Sequence, residues 1–157
     1  MPEVTYLSRQ GLEKLQEELR ILKAVERPKL TAKIAEARAH GDLSENAEYH
    51  AAKEEQVFLE MRIGKLEESL SRARILDGNV PNDKIYILST VKLRDCKTDK
   101  KIEYTLTAVE EANFQEKKIS ITSPIGKGLL GKKVGEVVEI QVPAGTLKYE
   151  VLAITRD

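Results

Sequence analysis

Three acidic residues, Asp42, Glu45 and Glu48, follow one another at intervals of three residues in this sequence. Carboxylates and water are the ligands that Mg²⁺ prefers, and one or two carboxylates are typical where another macromolecule supplies the remaining ligands. Asp42 and Glu45 are therefore candidate metal ligands, although two carboxylates cannot complete a coordination shell. If this segment takes part in metal chemistry, a partner must contribute the other ligands.

The same spacing also fits a purely structural role. Asp-x-x-Glu is a variant of the capping box, with Asp42 as the N-cap of a helix and Glu45 at its third position. Acidic side chains also suit the positive end of a helix. The residues alone favour this capping interpretation. The two roles are compatible, because a cap would hold both carboxylates in fixed rotamers.

Basic residues and histidines flank the acidic segment. Arg38 precedes it and Lys53 follows it, and across an antiparallel helical hairpin the two could lie close together. They are either contacts for phosphate groups or solvated charges on a helix face. His40 and His50, together with Asp42, would suggest zinc. We expect no zinc site, because zinc needs three or four protein ligands, and a helix cap and an exposed helix position explain the histidines equally well.

A glycine-rich segment, residues 126–133, imitates a nucleotide-binding loop. It satisfies G-x-G-x-x-G and nearly satisfies G-x-x-x-x-G-K-[ST]. Both motifs need a helix directly after the glycines, because the N-terminus of that helix holds the phosphate. Here Gly135 intervenes, residues 137–142 are predicted as a strand, and Lys133 replaces the Ser or Thr that would bind magnesium. We therefore expect these glycines to form turns beside a short helix.

Two long helical segments must position the acidic residues. Residues 8–76 are rich in Ala, Leu, Glu, Lys and Arg, which favour helix. Apolar residues recur at alternating spacings of three and four, the heptad pattern of a helix that packs against one partner helix. They are Leu12, Leu15, Leu19 and Leu22 in the first run, and Tyr49, Ala52, Gln56 (the polar exception), Leu59, Ile63, Leu66, Leu70 and Ala73 in the second. The first run loses its phase at Pro28 and resumes at Leu30, Ile34 and Ala37, so we expect a bend at Pro28 and not the end of the helix.

The connection between the two runs is short. Gly41 is placed to end the first helix, and Asp42 or Ser44 to cap the second. A connection of this length makes the two helices antiparallel neighbours. The sequence therefore predicts an antiparallel coiled-coil hairpin over residues 1–77, with an acidic tip loop at residues 40–46.

A predicted linker at residues 78–83 separates the hairpin from a second half with a different pattern. Residues 84–157 contain short β-branched runs separated by turn residues, which predict strands. The runs cover residues 85–88, 91–94, 102–109, 119–122, 137–142 and 148–154. Pro143-Ala144-Gly145 predicts a hairpin turn, and Ser123-Pro124 predicts the start of a short helix. We expect an α+β protein of two domains, the second of which is small and mostly antiparallel.

Composition and charge exclude several classes of protein. The chain has 26 basic and 26 acidic side chains, so no net charge attracts it to DNA or to an acidic membrane. Cys96 is its only cysteine, so an intrachain disulfide is impossible. The sequence has no signal-peptide pattern and no apolar run of about 20 residues, so we expect a cytoplasmic protein.

Residues 35–52, with their Gly-Asp-Leu-Ser-Glu-Asn core, resemble the signature of the Gre family of bacterial transcript-cleavage and elongation factors, and are most similar to its GreA-like members. The similarity extends over essentially the whole chain. It includes Leu7-Ser8-x-x-Gly11, Arg27-Pro28, Ser123-Pro124-Ile125 and Leu129-Leu130-Gly131-Lys132. Agreement at several distant sites, in the same order, makes a chance match improbable.

The resemblance implies a mechanism. Members of this family insert a coiled-coil arm into the secondary channel of RNA polymerase when the enzyme has backtracked and the RNA 3′ end is extruded. The tip residues, here Asp42 and Glu45, help to retain a second Mg²⁺ and orient the attacking water in a two-metal hydrolysis of the RNA. The ion is shared with the polymerase, so the resemblance implies that the isolated protein binds no cofactor and is not itself an enzyme.

The resemblance also implies roles for other segments. Arg38 and Lys53 correspond to a small basic patch that contacts the RNA. The C-terminal domain, which is FKBP-like in this family, docks on the polymerase through Ser123, Pro124 and Ile125. We expect the chain to act as a monomer and, as a GreA-like member, on short backtracks.

Three other functions compete with this expectation. A Gre-like inhibitor would enter the same channel with an altered tip, whereas this tip keeps both acidic residues. An FKBP-like prolyl isomerase would need an aromatic-lined pocket, because fold alone does not establish activity. The aromatic residues in the second half are few, namely Tyr86, Tyr104, Phe114 and Tyr149. A plain coiled-coil scaffold would depend on the apolar seam and not on the tip.

Overall fold

The computed structural model describes residues 4–42, 45–76 and 80–156. They form two compact units: Leu12–Ala73 makes up the first, and Val4–Gly11 joins residues 74–156 in the second. This division differs from the predicted boundary after residue 77, because the residues that start the first helix are bonded to the second unit. None of the helices in the described residues has the length and apolar content that a membrane span requires.

An antiparallel helical hairpin forms the first unit, as predicted. The hairpin is built from α1 (Arg9–Ile21), α2 (Arg27–Ala39) and α3 (Ala47–Arg72), and only the first three residues of α1 belong to the second unit. The predicted apolar seam is buried, and its most deeply buried members are Leu15, Leu30, Ala37, Ala52, Ile63 and Leu66. Packing of an amphipathic face, more than helix propensity, stabilises helices of this kind.

A π-helical turn, Leu22–Glu26, joins α1 to α2 without ending the helix. The Arg27 N–H donates to the carbonyl of Leu22, five residues earlier. The next residue, Pro28, has no N–H, and its ring would crowd the carbonyl four residues earlier in a regular α-helix. The wider turn also accommodates one extra residue, which accounts for the eight-residue step of the seam from Leu22 to Leu30. The prediction that the helix continues through Pro28 is confirmed.

Ion pairs between the two arms follow the antiparallel register. They are Glu18–Arg62 at 2.8 Å, Lys23–Glu67 at 3.8 Å, Arg27–Glu60 at 2.8 Å and Lys33–Glu55 at 2.9 Å. The hydrogen bond from Arg27 lowers the pKa of Glu60, and the one from Arg62 lowers the pKa of Glu18. Because these side chains are largely exposed, each pair adds little stability and mainly specifies the register.

The second unit contains two β-sheets, one of two strands and a mixed one of five strands. The two strands β1 (Thr5–Leu7) and β2 (Ala73–Ile75) pair with each other. The larger sheet has the strand order β5-β4-β3-β7-β6. Its strands are β3 (Thr90–Asp95), β4 (Lys101–Thr107), β5 (Lys118–Ser120), β6 (Val137–Val142) and β7 (Gly145–Thr155). In that sheet β4 and β5 are parallel, and the other neighbours are antiparallel. The predicted turn at Pro143-Ala144 joins β6 to β7, with Val142 paired to Gly145.

The core of this unit lies between the sheet and a short helix, α4 (Pro124–Leu129). Buried members include Ile85, Val91, Leu93, Tyr104, Leu106, Leu129, Ile140 and Val151. Alternate residues of β6 are buried and exposed, which is the pattern of a strand with one face on a core. The predicted two-domain α+β fold, with a small and mostly antiparallel β domain and a short helix, is confirmed.

Two predictions of secondary structure are wrong. Residues 85–88 are not a strand: Ile85 exchanges backbone hydrogen bonds of 2.8 Å with Gly131 and Lys132, and Leu88 has a φ of 70°, in the left-handed region that strands avoid. Residues 73–75 were predicted as helix but form β2, because pairing with β1 satisfies their backbone groups instead.

Glu111 caps the start of α1 from a distant part of the chain. Its two carboxylate oxygens accept from the Ser8 backbone N–H at 2.9 Å and from the Ser8 hydroxyl at 2.5 Å. The Ser8 oxygen in turn accepts from the Gly11 N–H at 3.0 Å. A Cβ at residue 11 would collide with the Glu111 carboxylate, so glycine leaves the room that this contact needs. The contact explains why Val4–Gly11 belongs to the second unit.

Replacing Glu111 with Gln should lower the free energy of unfolding by about 1 kcal/mol, because the acceptor of two hydrogen bonds loses its charge. Ser8→Ala should have a similar effect, since it removes a helix cap. Denaturant unfolding of both single variants and of the double variant tests this. We expect the free energy of unfolding of the double variant to fall little further than that of the less stable single variant, because both changes break the same contact. If the two single losses of free energy simply added, Ser8 and Glu111 would not interact.

Candidate functional site

The acidic segment lies where the two arms of the hairpin meet. The helix α2 ends at Ala39, and Gly41 then takes a φ of 119°, a conformation that residues with a side chain rarely adopt. Asp42 follows directly, and both Asp42 and Glu45 are exposed. Leu43 and Ser44 lie outside the described residues.

The capping prediction for this loop is wrong. The N-cap of α3 is Asn46, whose side-chain oxygen accepts from the Tyr49 N–H at 3.1 Å. The helix starts at Ala47, so Glu45 precedes the cap and cannot be the third residue of the helix. Asp42 is four residues too early to act as its N-cap. Neither Asp42 nor Glu45 therefore caps α3.

Two side-chain contacts join the ends of α2 and α3. The Asn46 amide nitrogen donates to the backbone oxygen of Ala37 at 2.6 Å. His40 Nδ1 lies 3.1 Å from an oxygen of Glu48, which stands in the first turn of α3. Glu48 thus contacts a residue at the end of the other arm.

Oxygen donors of this kind suit magnesium better than zinc. Among the residues that the structure describes, no group of three or more His, Cys, Asp or Glu side chains could hold a metal ion. The role of Asp42 and Glu45 as metal ligands stays a prediction, and it would need further ligands from a partner.

The two basic candidates are both exposed. Arg38 lies in the last turn of α2. Lys53 lies on α3, and its Nζ donates to Gln56 on the same helix at 2.9 Å. Their role in binding RNA stays a prediction.

The second candidate region surrounds the start of α4. Ser123 is the N-cap of this helix: its hydroxyl oxygen accepts from the Gly126 N–H at 3.0 Å, and its O–H donates to the Ser120 carbonyl at 2.6 Å. Pro124 is exposed at the first position of the helix, and Ile125 is half-buried against the core. This confirms the predicted short helix and holds Pro124 at the surface.

Gly126 is required by the packing of this helix. A Cβ at this position would collide with the backbone oxygen of Ser120. Gly131 and Gly135 form turns, with φ values of 84° and 93°. The prediction of turns is confirmed for Gly131 and wrong for Gly126 and Gly128, which lie inside α4. No helix directly follows Gly131 and Gly135, because the next element is the strand β6.

Sequence reasoning missed two residues of consequence. The sequence analysis assigns the cap of α3 to Asp42 or Ser44, whereas Asn46 forms it; Asn is one of the residues that N-caps favour. Glu111 carries no local signal, because its partner Ser8 lies 103 residues away in sequence.

The chain matches known proteins over almost its whole length. Residues 5–75 match the family model described as "Transcription elongation factor, N-terminal", and residues 80–156 match "Transcription elongation factor, GreA/GreB, C-term". The chain is 54% identical to the transcription elongation factor GreA of Flavobacterium johnsoniae, with 100% of both chains covered. It is 56% identical to the GreA of Chloroherpeton thalassium, with 98% of each covered. Among solved structures, GreA factor homolog 1 (Gfh1) of Thermus thermophilus is 34% identical, covers 98% of this chain and 99% of its own, and superposes with a TM-score of 0.45.

Proposed function

Because this chain belongs to the GreA/GreB family of transcription elongation factors, we propose that it inserts its helical hairpin into the secondary channel of bacterial RNA polymerase and stimulates the polymerase's own cleavage of backtracked RNA 3′ ends. The observation that carries this proposal is the exposed pair Asp42 and Glu45 at the end of the hairpin, with the capping of α3 left to Asn46. Arrested complexes then resume elongation from the new 3′ end.

The hairpin suits a narrow channel. The helix α3 has 26 residues, and at roughly 1.5 Å per residue such a helix is about 39 Å long. Small side chains, Ala37 and Ala52, occupy the buried seam near the tip, whereas Ile63 and Leu66 fill it farther away. The tip can thus be slender while the seam still holds the arms together.

The two carboxylates fit a magnesium ion shared with the polymerase, because Mg²⁺ keeps several waters and takes one or two carboxylates from a protein. Such an ion, when bound, stabilises the negative charge that develops in phosphodiester hydrolysis. Asp42 and Glu45 would hold it from one side, and either carboxylate can accept a hydrogen bond from the attacking water and so orient it. Two ligands make half of a site, and the protein in this proposal is a cofactor of the polymerase and not an enzyme on its own.

The second unit would dock on the polymerase near the entrance of the channel. Ser123, Pro124 and Ile125 form the proposed contact, and the Ser123 cap and the buried Gly126 support it by fixing the backbone there. A preorganised loop of this kind binds without the entropy cost of ordering it.

Arg38 and Lys53 would contact phosphates of the extruded RNA, whose 3′ end is the second partner in this proposal. Substituting both with Ala should reduce crosslinking of the protein to a photoreactive RNA 3′ end several-fold, because each lost phosphate contact weakens binding. The control is Lys65→Ala. Lys65 is exposed on α3, as Lys53 is, but lies farther from the tip, so this variant should crosslink as the wild type does. Unchanged crosslinking of the double variant would remove the RNA patch from the proposal.

The proposed function is tested by adding the full chain to backtracked elongation complexes that carry labelled RNA and Mg²⁺. Faster shortening of the RNA, followed by renewed elongation, is the expected result. A chain that competes for the channel but slows cleavage would be an inhibitor instead. A chain that does neither, and catalyses peptide isomerisation in a protease-coupled assay, would be a prolyl isomerase.

A further inference from the structure

The side chain of Asn46 is bonded to both arms of the hairpin. Its amide nitrogen donates to the Ala37 carbonyl near the end of α2 at 2.6 Å, and its amide oxygen accepts from the Tyr49 N–H in the first turn of α3 at 3.1 Å. Both bonds are partly buried. A carboxamide donates and accepts through two separate atoms at the end of its side chain, whereas a carboxylate cannot donate and a serine hydroxyl does both through one oxygen close to the backbone.

The bridge fixes both ends of the acidic loop. Asp42 follows the end of α2 after Gly41, and Glu45 is covalently joined to Asn46. The point at which the chain enters α3 is therefore tied to the point at which it leaves α2. Because the bridge holds the chain just before Asp42 and just after Glu45, it limits how far apart the two carboxylates can lie.

We propose that Asn46 is a positioning residue that sets the separation of the Asp42 and Glu45 carboxylates for the metal ion that they share with the polymerase. The inference rests on the proposed function and deepens it. Groups that act together on a reacting centre must be held to a fraction of an ångström, so a loosened bridge weakens metal retention without removing either ligand.

Capping alone is the competing role for Asn46, and one substitution separates the two. Ser caps helices about as well as Asn, so Asn46→Ser keeps the bond from the Tyr49 N–H. Its hydroxyl is too short to reach the Ala37 carbonyl while it caps. Asn46→Ala removes both bonds and serves as the comparison. Neither variant changes the charge of the loop.

The experiment uses the full chain, backtracked complexes with labelled RNA, and separate titrations of Mg²⁺ and of the protein. Asn46→Ser should melt at the wild-type temperature, and the protein concentration for half-maximal RNA cleavage should equal that of the wild type. Its cleavage at low Mg²⁺ should fall by about tenfold to a hundredfold, and the Mg²⁺ concentration for half-maximal cleavage should rise severalfold. A high Mg²⁺ concentration should restore much of the cleavage by Asn46→Ser. It should not restore cleavage by Asp42→Asn, because that variant lacks one of the two proposed metal ligands.

Asn46→Ser cleaving as the wild type does at every Mg²⁺ concentration would overturn the inference and leave Asn46 as a cap. Equal losses of cleavage and of polymerase affinity in Asn46→Ser would also overturn it, because they would indicate general loosening of the hairpin. Both outcomes leave the proposed function intact, provided that the wild type stimulates cleavage and Asp42→Asn does not. A wild-type chain without any stimulation would overturn the proposed function and this inference together.

Discussion

Asp42→Asn is expected to lower stimulated RNA cleavage by about a hundredfold or more, and Glu45→Gln by a similar factor. Each substitution keeps the size of the side chain and removes the charge that would hold the shared Mg²⁺. Because Asn46 caps α3 and both side chains are exposed, neither change removes the helix cap, and we expect both variants to remain folded. The measurement is the rate at which labelled RNA is shortened in backtracked complexes at saturating protein.

Glu54→Gln provides the matched control for this pair. Glu54 is an exposed carboxylate on α3, away from the tip loop, and its substitution should leave cleavage at the wild-type rate. Competition for the polymerase should show that both tip variants still bind. If either tip variant retained more than about half of the wild-type cleavage, its carboxylate would not act in the reaction, since a lost ligand costs far more than twofold.

Gly126→Ala is expected to weaken binding to the polymerase by at least about tenfold. The added Cβ would collide with the Ser120 backbone oxygen, and a backbone group cannot turn aside as a flexible side chain can. Overpacking of this kind costs about 1–3 kcal/mol, so α4 and the proposed docking residues Ser123 and Pro124 would be displaced together. The protein concentration for half-maximal cleavage should rise, while cleavage at saturation should change little.

Gly64→Ala is the control for that substitution. Gly64 lies inside α3, and nothing lies within 4 Å of the position of an added Cβ. Alanine should therefore stabilise the helix by about 1 kcal/mol and leave polymerase affinity unchanged. Normal affinity of Gly126→Ala, with a folded second unit, would contradict the proposed docking surface.

The helical hairpin was predictable because its signal repeats along the chain. Burial of Leu15, Ile63 and Leu66 follows directly from the spacing of apolar residues. The π turn before Pro28 was not predictable in detail. The sequence shows a proline and a slip in phase, but the bond from Arg27 to Leu22 is one of several ways to accommodate both.

At the tip, the propensities of single residues do not predict which residue caps α3. Asp42, Ser44 and Asn46 are all good N-cap residues within a span of five, so propensity cannot choose among them. Asn46 has an additional contact with Ala37, nine residues earlier, and that contact depends on the packed hairpin. The strand predicted at residues 85–88 failed for a similar reason, because Ile85 is held by backbone groups far along the chain.

The central claim, that the hairpin carries Asp42 and Glu45 to the catalytic metal of the polymerase, is tested most directly by replacing the Mg²⁺ of the polymerase with Fe²⁺. Hydroxyl radicals formed at the iron cut protein backbone in its immediate vicinity. With the protein bound to a backtracked complex, we predict cuts in residues 40–46 and none in residues 90–155. A bound protein that is cut in the second unit, or not cut at the tip, would contradict the claim.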